Sequence, residues 1–219
     1  LVEKVDKPTG TVQVTLHDGS PEYNICEGVA WDYIPTTANS LDLARKAGAI
    51  SFGTLAQRND VSRRTIEQLV ETVPHDALRI FDINLRMEFF SEEMIRHSLE
   101  MANVLKINDE ELEIVKPMFG LEGESTDTSC LKITENFGLK MLVLTGGSVF
   151  SSIYTLDGIS TLPTPKVKVV DTVGAGDSFS GALTGSLLAG KSIPEAHRIA
   201  VETAAYVCTC SGAWTPPKK

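Results

Sequence analysis

The chain has 219 residues, 42% of them hydrophobic, which suffices for a sizeable core in one domain with an appendage. Twenty basic against twenty-nine acidic residues give a net charge of −9, so nucleic acid and anionic membrane are disfavoured as partners, although a local anion site can override the global field. No apolar run approaches a membrane span, no signal-peptide pattern opens the chain, and Cys26, Cys130, Cys208 and Cys210 lack the spacing of a disulfide framework; a reducing cytoplasm is the expected location.

Leu1-Val2-Glu3-Lys4 opens the chain without an initiator Met. Val12, Val14 and Leu16 alternate with polar residues, His17-Asp18-Gly19-Ser20-Pro21 supplies a turn, and Tyr23 and Ile25 resume the alternation. This predicts a β-hairpin, and the alternation fits an ordinary edge ribbon as well as a lid. From Ala38 onward helical stretches alternate with short apolar strands at Ala49–Phe52, Arg79–Ile83, Val104–Ile107, Met141–Leu144 and Val167–Val170. That order predicts an α/β fold, Rossmann-like, with a mostly parallel sheet and helices on both faces. Most strands run into a polar segment: Asp82, Asn84 and Arg86 after one, Asn108 and Glu111 after the next, Thr145, Gly146 and Gly147 after a third. Ligands of open α/β sheets bind outside the carboxyl ends of the strands, so these segments point to one shared site.

Asp171-Thr172-Val173-Gly174-Ala175-Gly176-Asp177-Ser178-Phe179 follows the last predicted strand and precedes Phe179, Ala182, Leu183 and Leu187 at helical spacing. The first turn of a helix leaves N–H groups without partners and carries partial positive charge, and Gly174 and Gly176 let an oxygen approach the backbone. Asp177 would repel a phosphate, so it fits a general base that takes a proton from an attacking hydroxyl while the N–H groups stabilise charge on the transferred group. The bland alternative is a tight turn with an N-terminal helix acid.

Two rival motifs have the wrong context. Gly185-Ser186-Leu187-Leu188-Ala189-Gly190-Lys191-Ser192 matches the P-loop letters, but a P-loop follows a strand and opens a helix. Residues 178–189 are themselves helical in pattern, with Gly190 as the stop and Ser192-Ile193-Pro194-Glu195 as the capping box of the next helix. Gly174-Ala175-Gly176 also begins a dinucleotide-binding G-x-G-x-x-G, yet Phe179 stands where the third glycine belongs. Cys208 and Cys210 point different ways on an apparent helix with no His nearby, which argues against a metal pair.

D-T-x-G-A-G-D-x-F resembles the C-terminal signature of the ribokinase (PfkB) family of carbohydrate kinases. Asp82-Ile83-Asn84-Leu85-Arg86 resembles that family's D-x-N-x-R segment, Asn108-Asp109-Glu110-Glu111 its N-x-x-E motif, and Thr145-Gly146-Gly147 its loop beside the nucleotide phosphates. Thr9-Gly10-Thr11, Ala30-Trp31-Asp32 and Phe52-Gly53-Thr54-Leu55 look most like the fructokinase branch. The resemblance implies a ribokinase-like fold in which residues 1–35 form part of a small β-sheet lid and residues 36–219 the α/β core. It also implies that N-terminal strands and a Gly-Gly/Asn sugar-binding segment would precede Leu1.

By the same resemblance, ATP phosphorylates a primary sugar hydroxyl, with D-fructose as the expected acceptor. Other sugars such as ribose or 2-keto-3-deoxygluconate, adenosine, and a non-catalytic regulatory role are the alternatives. Asp177 is the base; Gly174, Ala175, Gly176 and Asp177 offer N–H groups to the transferred phosphate; Asn84 and Arg86 line the sugar and phosphate. Arg86 could equally pair with Glu88, Glu92 or Glu93 on the surface. Thr145, Gly147 and Asn108 approach the nucleotide, and the Ala204–Cys208 helix face lines the adenine or is plain core. Asn108 and Glu111 hold Mg²⁺ through water, or Asn108 simply caps a helix whose first turn is acidic. Asp171 and Gly212 are candidates for a K⁺ site. A homodimer could form through the edge of the lid.

Overall fold

The alternation at the start of the chain builds the expected hairpin: β1 (Val12–His17) pairs antiparallel with β2 (Ser20–Ile25), Val12 opposite Ile25 and His17 opposite Ser20. The computed structural model describes residues 2–17 and 20–215; the Asp18-Gly19 turn signal, Leu1 and Lys218-Lys219 lie outside the described residues. The chain divides into two compact units, Leu1–Ala102 and Asn103–Lys219.

In the first unit, Ile25 and Cys26 at the hairpin base lead to a 3-10 turn at Ala30–Tyr33 and to α1 (Ala38–Ala44), whose cap Thr37 accepts from Ser40 N–H. β3 (Ala49–Phe52) runs parallel to β4 (Leu78–Asp82), and α2 (Asp60–Thr72) lies between them in sequence. α3 (Glu92–Met101) closes the unit, capped by Ser91 with Glu92 and Glu93 in its first turn. One buried ion pair holds the hairpin base: Arg58 reaches Asp32 twice, at 2.8 and 2.9 Å, and donates to the Cys26 carbonyl at 2.6 Å. Its guanidinium lies 4.0 Å from the Trp31 ring centroid and 4.6 Å from that of Phe89, so a desolvated charge is satisfied on every side. Burial pushes the Asp32 carboxyl up, but the Arg58 contact and the Val29 N–H outweigh it and hold the carboxyl below its ordinary range.

In the second unit, β5 (Val104–Asn108) and β6 (Met141–Gly146) run parallel, with α4 (Asp109–Val115) and α5 (Thr126–Asn136) between them in sequence. Leu105, Ile107, Leu142 and Leu144 are fully buried, as in a parallel pair covered on both faces. Two further strands, β7 (Phe150–Thr155) and β8 (Gly158–Pro163), extend β6 as an antiparallel meander that the sequence reading did not place. α6 (Ala175–Leu188) packs on α7 (Ile193–Val207).

Three expectations are corrected. Val167–Val170 is not a strand: it pairs with no strand among the described residues, Val169 and Val170 are exposed, and Val170 N–H donates to the Cys208 carbonyl instead. β-Branched alternation states a preference, and without a partner ladder it yields only extended chain. Asn84 has φ of 45° and Met87 φ of 50°, so the segment after β4 turns and Asn84 does not share an extended face with Arg86. α7 ends at Val207, which places Cys208 and Cys210 in the turns after it.

The P-loop letters are helical as expected. Gly185 to Leu188 are the last turn of α6, Gly190 has φ of 77°, Gly190 N–H donates to Leu187 and Lys191 N–H to Ser186, the bonds of a Schellman stop. Ser192 and Glu195 then form the next capping box, Ser192 N–H donating to Glu195 Oε2 at 3.0 Å.

Candidate active site

Gly174 is the N-cap of α6, with φ of 81°, a left-handed backbone that a side chain would strain. A Cβ there would also meet the Ala213 carbonyl oxygen at 2.7 Å, so the loop before α6 and the segment after α7 touch through bare backbone. Ser178 N–H closes the first helical bond on the Gly174 carbonyl, and Ala175 N–H donates to Thr172. No side chain caps α6. The N–H groups of Gly176 and Asp177 therefore face outward at the positive end of a 14-residue helix, beside the exposed Asp177 carboxylate. An anion and an acid that can take a proton next to it is the chemistry that this turn supports.

The loop entering α6 is stapled by Asp171. Its carboxylate accepts from Val173 N–H at 3.0 Å and from Gly212 N–H at 3.1 Å, and these bonds hold its acidity above that of an ordinary aspartate. Asp171 and Gly212 are thus brought together as expected.

Asn108 and Thr145 are register partners across β5 and β6, which sets the N-x-x-E and T-G-G segments side by side at one sheet edge. Asn108 Oδ1 accepts from Glu111 N–H at 2.8 Å, and Glu111 Oε2 accepts from Asn108 N–H at 3.0 Å. This reciprocal box orients both side chains, so the capping alternative is realised and Glu111 is buried in doing so. Gly147 turns with φ of 53°, and Gly146 has no room for a Cβ, which would lie 2.3 Å from the Phe150 ring.

A cleft of about 560 Å³ opens between α6 and α7, lined by Ser178, Ala182, Ile199, Thr203, Tyr206 and Trp214 among others. It begins one residue beyond Asp177. Of the face expected to hold a base, Tyr206 and Val207 line the cleft while Ala205 is core. Trp214 lay outside the sequence reading; an aromatic in a C-terminal loop carries no periodicity that would place it.

Lys106 also escaped that reading. It sits in β5 on the face that carries Asn108, and its Nζ lies 3.7 Å from where a Cβ on Gly176 would be. Only the packing of β5 against the start of α6 reveals this.

In the first unit, Gly53 packs on the Asp82 carbonyl with no space for a Cβ, and Thr54 Oγ1 donates to the Ile83 carbonyl at 2.8 Å. The Phe52-Gly53-Thr54-Leu55 phrase thus braces the backbone of the D-x-N-x-R segment. Gly10 and Trp31 are likewise in contact. Asn84 and Arg86 are exposed; among the described residues Arg86 forms no ion pair with Glu88, Glu92 or Glu93 and donates to the Leu85 carbonyl.

Residues 1–219 match the pfkB family carbohydrate kinase profile. The sequence is 31% identical over 187 residues to a fructokinase of Rhizobium leguminosarum bv. trifolii, covering 83% of this chain and 55% of that protein. It is 30% identical over 219 residues to fructokinase-2 of Solanum lycopersicum, covering 96% of this chain and 65% of that protein. The chain thus spans less than two thirds of the length of these two relatives. An uncharacterized sugar kinase from Pyrococcus horikoshii, solved in complex with ATP, superposes with a TM-score of 0.76 at 26% identity over 99% of this chain and 70% of that one. The ribokinase-like α/β fold with a small antiparallel sheet, expected from sequence, is the fold found.

Proposed function

We propose, on the premise that this chain belongs to the pfkB family of carbohydrate kinases, that it phosphorylates a primary hydroxyl of a sugar at the expense of ATP, with D-fructose as the acceptor. The observation that carries the reading is the uncapped start of α6, where two N–H groups and the Asp177 carboxylate stand together at the mouth of the cleft between α6 and α7.

In this reading the adenine lies in that cleft against Tyr206 and Trp214. The phosphates run toward the Gly147 turn and the start of α6, and the γ-phosphoryl rests on Gly176 and Asp177 N–H. Asp177 takes the proton of the attacking sugar oxygen, the bond between the γ-phosphorus and the β,γ-bridging oxygen breaks, and ADP leaves with the electron pair. Phosphoryl transfer asks little covalent work of a protein, so positioning and charge are the main contributions. The N–H groups are fixed before the substrate arrives and do not reorganise in the transition state.

The residues present fit a Mg²⁺ held mainly by phosphates and water. Among the described residues no three His, Cys, Asp or Glu side chains gather to cage a metal, and Asn108 and Glu111 supply an amide and a carboxylate oxygen locked in one orientation. Bound there, the ion would neutralise phosphate charge. Asp171 and Gly212 are the corresponding candidates for K⁺. Residues 1–35 serve as part of the lid and residues 36–219 as the core.

A coupled ADP-release assay of the full-length protein across fructose, ribose, 2-keto-3-deoxygluconate, adenosine and fructose phosphates tests the reading. Fructose is expected to give the highest kcat/KM. Turnover of another acceptor alone would move the substrate assignment, and turnover of none would favour a regulatory, binding-only relative.

A further inference from the structure

One side chain holds the chain where it leaves the hairpin. Arg58 follows the short 3-10 turn Leu55–Gln57 and precedes α2, with its side chain only 4% exposed. Nε and Nη2 donate to the Asp32 carboxylate, Nη2 also donates to the Cys26 carbonyl at 2.6 Å, and Nη1 reaches the Ile25 carbonyl at 3.4 Å. Ile25 ends β2, and Cys26 is the residue after it. A planar fork of five donors serves these three groups at fixed angles, which the single ammonium of a lysine does not.

The segment that follows is fastened by other means. Ser62 of α2 accepts from Ile34 N–H at 2.9 Å and donates to the Trp31 carbonyl at 2.8 Å, and Thr65 donates to the Ile34 carbonyl at 2.7 Å. Neutral hydroxyls thus tie Trp31 and Ile34 to α2. Apolar side chains of similar size often hold as well as a buried ion pair, so adhesion alone is a poor account of Arg58. What Arg58 adds is the grip on Ile25 and Cys26. Its guanidinium also lies 4.6 Å from the Phe89 ring centroid, and Phe89 N–H donates to the Arg86 carbonyl at 3.1 Å, closing the turn that carries Arg86. The base of the hairpin and the turn after Asn84 therefore meet on one guanidinium.

We propose that Arg58 is a positioning residue for the acceptor: it seats the β1–β2 hairpin against the turn that carries Arg86, so that both stand in place before the acceptor binds. This rests on the kinase reading above, with the hairpin as part of the lid and Arg86 beside the acceptor. In this role Arg58 touches no reactant. The fraction of molecules with the hairpin seated scales the apparent affinity for the acceptor, so loss of the latch raises its KM and spares the chemical step.

The test uses the full-length protein and the variants R58K and R58M/D32N. R58K keeps a charge for Asp32 and loses the fork; R58M/D32N leaves no buried charge unpaired and keeps an oxygen for Val29 N–H. Steady-state kinetics gives kcat and the KM of ATP and of the acceptor identified by the ADP-release assay, and amide hydrogen exchange reports on the latch. Both variants are expected to raise the acceptor KM by ~10-fold, as the loss of one hydrogen bond to a charged group does, with the KM of ATP and kcat at saturating acceptor unchanged. Cys26 and Phe89 N–H, bonded to the Thr11 and Arg86 carbonyls, should exchange faster, while Ile34 N–H, held by Ser62, keeps its protection. An unchanged acceptor KM in R58K overturns the proposal. So does a KM that recovers in R58M/D32N in step with the melting temperature, or exchange that quickens at Ile34 as much as at Cys26, the marks of a purely structural pair. If R58M/D32N does not fold, R58K carries the comparison. If the wild-type protein turns over no acceptor, the kinase reading fails, while exchange at Cys26, Phe89 and Ile34 still decides whether Arg58 seats the hairpin.

Discussion

Gly174 concentrates two constraints in one residue: a left-handed backbone with φ of 81° and an approach of 2.7 Å between its absent Cβ and the Ala213 carbonyl. Gly174→Ala should therefore lower stability by ~1–2 kcal/mol from the backbone alone. It should lower kcat by about 10²-fold, because a small misplacement of the N–H groups suffices for that. Denaturant titration and kinetics on the same preparation check both. A loss of stability with kcat intact would mean that the start of α6 does not hold the reacting group. The sequence made the two glycines and Asp177 legible as the turn that opens a helix, because a left-handed cap such as Gly174 calls for bare backbone. It did not reveal that Lys106 lies beside Gly176, since a lysine between apolar residues looks the same in a strand end or a surface edge until β5 is packed against α6.

At the scale of elements, α7, β7 and β8 meet at His197, which is fully buried and hydrogen-bonded to Ser151 through Nε2 and to Ser160 through Nδ1, both at 2.9 Å. Phe179, two residues beyond Asp177, packs edge-on against its ring. Burial pushes the imidazole down from 6.5 to about 4, so it is neutral in the fold. The unfolded chain binds its proton between these values and the folded chain does not. The stability tied to a neutral His197 is thus complete above pH 6.5 and is lost as pH falls toward about 4, by at most roughly 3 kcal/mol. Urea midpoints of the wild type should fall across that window, and those of His197→Asn should fall less steeply; identical slopes would contradict this account. The elements also show what periodicity can and cannot decide. The strands from Val104 and Met141 were legible because buried parallel strands are mostly apolar. β7 and β8 were not, although Asp157-Gly158, where the Leu156-Asp157 turn meets β8, was a usable hairpin signal. Val167–Val170 failed in the opposite sense, with strand residues but no partner strand.

For the molecule as a whole, the sequence motifs fall on different elements of the two units. In the first unit Gly53 and Thr54 brace the segment that carries Asn84 and Arg86. In the second, Asn108, Thr145, Lys106 and the start of α6 share the region where β5 and β6 end. No helix among the described residues is long and apolar enough to cross a membrane. Fold and family were readable from the chain because several motifs sit where a strand ends and the glycine turn of another opens a helix. The acceptor was not, because the proposed roles of these residues concern the phosphoryl group, which every acceptor would share. The central claim is that Asp177 is the base of a phosphoryl transfer, and ³¹P NMR of the full-length protein with ATP and fructose tests it most directly. The account predicts a growing phosphomonoester signal matched by ADP for the wild type, with a rate lower by ~10²–10⁴-fold in Asp177→Asn; equal rates in the two proteins would contradict it.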